Sequence, residues 1–223
     1  LRAGTERGAG AMVAAKAALH ALVLVPLVLL GWKAWQVGSG TDLDALGADP
    51  VTAIEHELGL WALRLLLVTL VVTPLRQLTG QPQLLRFRRM LGLWAFAYAS
   101  LHFMAWLVLD LRGWWGQVFA DIVERPYITV GFAAWLLLVP LAVTSTRGWM
   151  RRLGRHWGRL HRLVYAIAAL AVLHFWWVVK SDFREPLLYA VILAVLLGWR
   201  VARRRRHADP RPRPAASAGA EQQ

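Results

Sequence analysis

Three histidines of this chain, His102, His161 and His174, lie in or at the edge of long apolar runs. An imidazole there is costly and is a candidate for function by default; otherwise it is bonded to a neighbouring helix carbonyl. The chain has no cysteine. Disulfides, zinc–thiolate sites, iron–sulfur clusters and thiol nucleophiles are therefore excluded. Metal or redox chemistry must use histidine, carboxylates or an organic cofactor.

Depth along the apolar runs links two of the three. His102 lies 12 residues past Met90, about 18 Å along a helix. His174 lies 14 residues past Leu160, about 21 Å along a helix. If both helices enter from the same side, the two imidazoles sit at one level with room for a prosthetic group between them. Neutral imidazoles from two helices suit bis-histidine ligation of a haem iron. Trp94, Tyr98, Phe103, Trp106, Phe175 and Trp176 offer flat apolar surface nearby. His161 precedes His174 by 13 residues, roughly 140° around an ideal helix, so the two share no face unless the helix is distorted. A mate for His161 would fall at Arg88 or Arg89. Neither is an ordinary haem ligand, but both suit propionates. One haem is therefore well supported, and a second has one candidate ligand.

Arg64 lies inside an apolar run. It either snorkels toward the headgroups or partners an anion, such as a propionate or a quinone oxygen. His20 reads as packing, and His56, between Glu55 and Glu57, as a solvated helix entrance more than a metal site. His156 and His207 receive no role.

The elements that must position these residues follow from composition. Of 223 residues, 57% are hydrophobic and 17% charged, against about 45–50% and about 25% for a soluble domain. Six apolar spans stand out, near 17–36, 58–75, 91–110, 127–144, 162–180 and 186–199. Each approaches the roughly 20 residues a membrane helix needs. The net charge of +13 would suggest nucleic acid on a soluble domain. Here the basic residues alternate between connections, 20 on one side and four on the other. That pattern records topology and predicts an all-α integral membrane protein, a six-helix transmembrane bundle with both termini cytoplasmic. Membrane lipid is then a partner and nucleic acid is not. The expected organisation is a basic segment 1–16, a membrane domain 17–203 and a disordered tail 204–223. No internal repeat is visible.

Several stretches together resemble a known family. They are Gly47-Ala48-Asp49-Pro50 with Ile54-Glu55-His56, Thr73-Pro74-Leu75, and Arg88-Arg89-Met90-Leu91-Gly92-Leu93-Trp94 leading to Leu101-His102. Arg125-Pro126-Tyr127-Ile128-Thr129, Thr144-Ser145-Thr146, Trp157, Leu160-His161, Val164-Tyr165 and His174 complete the set. The chain resembles, from about 17 to 203, the MsrQ-type haem-binding membrane subunits of bacterial periplasmic methionine sulfoxide reductase systems, within the ferric-reductase-like transmembrane group. The resemblance implies haem b with His102, His161 and His174 as ligands. It implies a bacterial inner-membrane electron relay to a periplasmic molybdopterin-containing reductase that repairs oxidised methionines. It also implies FMN and quinone; no flavin motif is visible, so FMN rests on the resemblance alone. The wider group's second histidine on span three is missing here.

About 24 residues follow the sixth span, and no Gly-rich dinucleotide fingerprint occurs. Reducing equivalents are thus expected from a membrane quinol or a cytoplasmic flavin reductase, and the sulfoxide-reducing site on the partner. A small transporter or channel is the competing class, without the broken helices such proteins show. A cofactor-free scaffold subunit is the other.

Overall fold

The computed structural model describes the backbone of residues 2–208 and side chains from 10 to 206. It is helical, with no strand among the described residues. Nine α-helices occur in this range: α1 (Arg2–Ser39), α2 (Pro50–Thr79), α3 (Leu85–Ala105), α4 (Val118–Glu124), α5 (Pro126–Val143), α6 (Arg147–Leu153), α7 (Arg155–Leu160), α8 (Val164–Val178) and α9 (Arg184–Ala208). Six stretches are long and apolar enough to cross a membrane: α1, α2, α3 with its extension to Asp110, α5, α7 running into α8, and α9. The chain is a multi-pass, all-α membrane protein.

Helix ends follow local chemistry more closely than hydropathy. Helix α2 begins eight residues before the expected 58. Asp49 caps it, accepting from Thr52 N at 3.1 Å and Thr52 Oγ1 at 2.6 Å. Pro50 takes the first turn, where its missing N–H costs nothing. Glu55, His56 and Glu57 are therefore helical, and Gly80, at φ 68°, ends the helix. The connection between the third and fourth expected spans contains α4, and that between the fourth and fifth contains α6 and α7. Helix α9 continues through the basic run to Ala208, the first residues of the expected tail included. The rest of that expected tail, from 209, lies outside the described residues, as does the His207 side chain.

Helix α2 is the centre of the bundle. Of its most apolar stretch 61% is buried, against 6% for α1 at the edge. Leu58, Leu63, Leu66, Leu70 and Val72 are all buried. Burial of each such side chain stabilises by about 1.5–3 kcal/mol where the alternative is water; against lipid, close packing and polar pairing matter more. Helix α2 pairs most extensively with α3, and α5 with α8. These two antiparallel hairpins meet through α3 and α5.

Proline explains one long-range bond. Pro74 inside α2 has no N–H for the carbonyl of Leu70, which is fully buried. Arg200 of α9 supplies the donor, at 2.5 Å to Leu70 O, while also holding Leu196 O at 2.7 Å and lying over the Tyr165 ring.

Candidate functional site

The two hairpins bring His102 and His174 face to edge. Their ring centroids are 6.1 Å apart with planes at 71°. Each ring is fixed through Nδ1. His102 Nδ1 donates to Glu55 O at 2.8 Å, and His174 Nδ1 donates to Tyr127 O at 2.7 Å. A carbonyl only accepts, so the proton sits on Nδ1 in both rings. Both Nε2 atoms keep their lone pair, the form a metal takes. A single metal ion bound to one nitrogen of each ring at about 2 Å places the centroids roughly 6 Å apart. The pair therefore fits axial ligation of one haem iron.

Helices α3 and α5 also share an aromatic cluster. Phe103 stacks on Trp135 at 4.7 Å, and Trp106 and Phe132 lie within 6 Å of Phe103. Trp135 Nε1 donates to Ser100 Oγ at 3.1 Å. Among the described residues, two buried polar atoms lack a partner: Trp106 Nε1, one turn beyond His102, and Glu55 Oε1, on the residue whose carbonyl holds His102. Such atoms are costly unless a bound group or water pairs them. Both belong to residues beside the imidazole pair in the chain or bonded to it.

Of the six aromatics expected near a haem, Phe103 and Trp106 join this cluster. Trp94 donates to His20 Nδ1 at 2.8 Å and Tyr98 to Val23 O at 2.6 Å, so both serve α1. Phe175 faces His56 and Tyr189, and Trp176 faces Phe183. Phe132 and Trp135 escaped sequence reasoning because α5 carried no histidine to draw attention to it.

His161 is placed apart from this pair. The helix is distorted there: His161–Leu163 form a 3-10 turn between α7 and α8. Its ring stacks on Trp157 with centroids 4.0 Å apart. Its Nε2 lies 3.1 Å from Thr144 Oγ1. That hydroxyl donates to Pro140 O at 2.6 Å, so Nε2 is the donor to Thr144. Trp157 Nε1 also bonds Thr144 O at 3.0 Å. No second imidazole faces His161 among the described contacts. Arg88 is half-buried on α3, and Arg89 is exposed.

Arg64 is engaged by neutral groups. Its Nε donates to Tyr189 OH at 2.9 Å and its guanidinium lies 5.1 Å from the Trp61 ring centroid. His56 lies 3.9 Å from Glu185. No group of three metal-binding side chains occurs among the described residues.

Comparison with known proteins gives the family. The family model described as ferric reductase like transmembrane component matches residues 58–172. A protein-methionine-sulfoxide reductase heme-binding subunit MsrQ from Xanthomonas campestris pv. campestris (strain 8004) is 68% identical over 211 residues, 90% of this chain and 95% of that protein. The protein of that name from Xanthomonas euvesicatoria pv. vesicatoria (strain 85-10) is 70% identical over 190 residues, covering 85% and 87%. The one from Bordetella pertussis (strain Tohama I / ATCC BAA-589 / NCTC 13251) is 54% identical over 167 residues, covering 71% and 78%. No solved structure matches.

Proposed function

The chain belongs to the MsrQ family of haem-binding subunits, within the ferric-reductase-like transmembrane group, and we propose that it is the electron-transfer subunit of a protein-methionine-sulfoxide reductase, holding one haem b between His102 and His174. The observation that carries this reading is the imidazole pair 6.1 Å apart with both Nδ1 protons tied to backbone carbonyls.

When bound, the haem supplies one-electron redox chemistry. The chain's own residues do the rest. Glu55 O and Tyr127 O fix the tautomer and orientation of the two imidazoles and raise their basicity. Phe103, Trp106, Phe132 and Trp135 exclude water from one side of the site, and a drier site shifts potential and limits side reactions. His161, the third ligand implied by the resemblance, serves a second site at the Arg88 and Arg89 level. The two arginines offer charge-assisted donors to an anionic group there, a propionate or a flavin phosphate. Arg64, whose guanidinium donates through Nε to Tyr189, is an anion partner of the same kind on the α2–α9 face.

The alternation of basic connections supports cytoplasmic termini and a bacterial inner-membrane location. Electrons enter from a membrane quinol or a cytoplasmic flavin reductase, with FMN as a further carrier. They leave to a periplasmic molybdopterin-containing subunit, where sulfoxide is reduced. The test is spectroscopic. Protein purified in detergent is expected to show a low-spin b-type spectrum that sharpens on dithionite reduction; its absence would sink the relay reading.

A further inference from the structure

The two imidazoles are seated by the same device, and it rests on glycine. In a helix the carbonyl of residue i accepts from the N–H of residue i+4, and the Cβ of residue i+4 leans back toward that carbonyl. Glu55 and Gly59 are such a pair in α2, and Tyr127 and Gly131 in α5. With glycine at i+4 the carbonyl is uncovered. Its second lone pair can take a donor from outside the helix. The His102 ring takes that place over Gly59, and the His174 ring over Gly131.

The space is measured by what a methyl group would meet. A Cβ on Gly131 would lie 2.7 Å from His174 Nδ1 and 2.8 Å from Cε1. A Cβ on Gly59 would lie 3.2 Å from the same two atoms of His102. Ordinary carbon contacts are about 3.5–4.0 Å, so the first clash is severe and the second moderate. Each histidine follows its carbonyl by 47 residues. Carbonyl, glycine and histidine of the second hairpin all lie 72 positions after those of the first. Two independent seats of one design argue against accident.

We propose that Gly59 and Gly131 are the positioning residues of the axial histidines, each opening a helix carbonyl so that the imidazole docks Nδ1-first and presents Nε2 to the iron. This rests on the reading of His102 and His174 as ligands of one haem. Substitution at Gly131 drives the ring off its carbonyl; substitution at Gly59 tilts it. Other membrane-span glycines have no such duty: nothing lies within 4 Å of a Cβ on Gly31 or Gly198.

The experiment compares the parent chain with Gly131→Ala, Gly59→Ala and Gly198→Ala in detergent. Haem per chain, ferric electron paramagnetic resonance g-values and midpoint potential are measured. Gly198→Ala is expected to match the parent. Gly131→Ala should lose more than half of its haem. Gly59→Ala should retain haem with shifted g-values or potential. Circular dichroism and gel filtration separate a lost fold from a lost ligand; if Gly131→Ala fails to fold, Gly59→Ala decides. Parent haem content, g-values and potential in both seat variants would overturn the proposal, as would equal losses in Gly198→Ala. A parent chain without haem would instead remove the ligand reading beneath it, before any variant is made.

Discussion

The level of His102 and His174 and the level of His161 are built from the same two hairpins, yet only the first is matched. At the first, each hairpin contributes a glycine, a carbonyl and an imidazole, and the rings meet at 6.1 Å. At the second, one hairpin supplies His161. The position 72 residues earlier holds Arg89. His161 is bonded to Thr144 and stacked on Trp157 instead of facing a second ring. A matched pair of imidazoles suits a shared metal ion; an unmatched imidazole does not. The two levels thus differ in what faces the imidazole: a second ring at one, Thr144 and Trp157 at the other.

The sharpest way to break this contrast is to remove the imidazoles one at a time. His102→Ala or His174→Ala is expected to abolish the low-spin haem of the matched level, while His161→Ala leaves that haem in place. Difference spectra of the three variants measure it.

The contrast was partly legible in the sequence. Six apolar runs, alternating basic connections and two imidazoles at similar depth all follow from residue types and helix rise. The seats do not. They are backbone carbonyls exposed by glycines, and Glu55 and Tyr127 share no side-chain chemistry that would reveal a repeat. The partner of Leu70 O was equally hidden, because Pro74 declares a missing donor without naming Arg200 as the replacement. The early start of α2 was readable from Asp49-Pro50, but Glu55 and Glu57 masked it in hydropathy. At His161 the 3-10 turn overrode the ideal-helix angle used to relate it to His174.

Smaller effects sharpen the comparison through the helices that present each level. Arg200→Leu leaves the buried Leu70 carbonyl unpaired in α2. It is expected to destabilise by about 1–3 kcal/mol, read from thermal unfolding in detergent. Thr144→Val removes the acceptor for His161 Nε2 while leaving the His102–His174 level untouched. It should cost about 0.5–1.5 kcal/mol and leave the matched haem's spectrum unchanged, checked in the same melt with absorbance followed at the haem band.

The smallest effect concerns the start of α2, which carries the Glu55 seat. The side chain and then the amide of Thr52 hold the Asp49 carboxyl below its ordinary value of 3.8. Because the folded value is the lower one, the cap contributes fully above the unfolded value and is lost as pH falls through the folded value. Asp49→Ala is expected to fray the first turn at neutral pH, seen as faster amide exchange over residues 51–53. The difference from the parent should vanish in strong acid.

The central claim is that His102 and His174 hold one iron between them. The most direct measurement is the haem spectrum of the parent beside His174→Ala, with imidazole added back to the variant. A low-spin b-type signal in the parent, its loss in the variant and its partial return with imidazole are the predicted results. An undiminished low-spin signal in His174→Ala without imidazole would contradict the account.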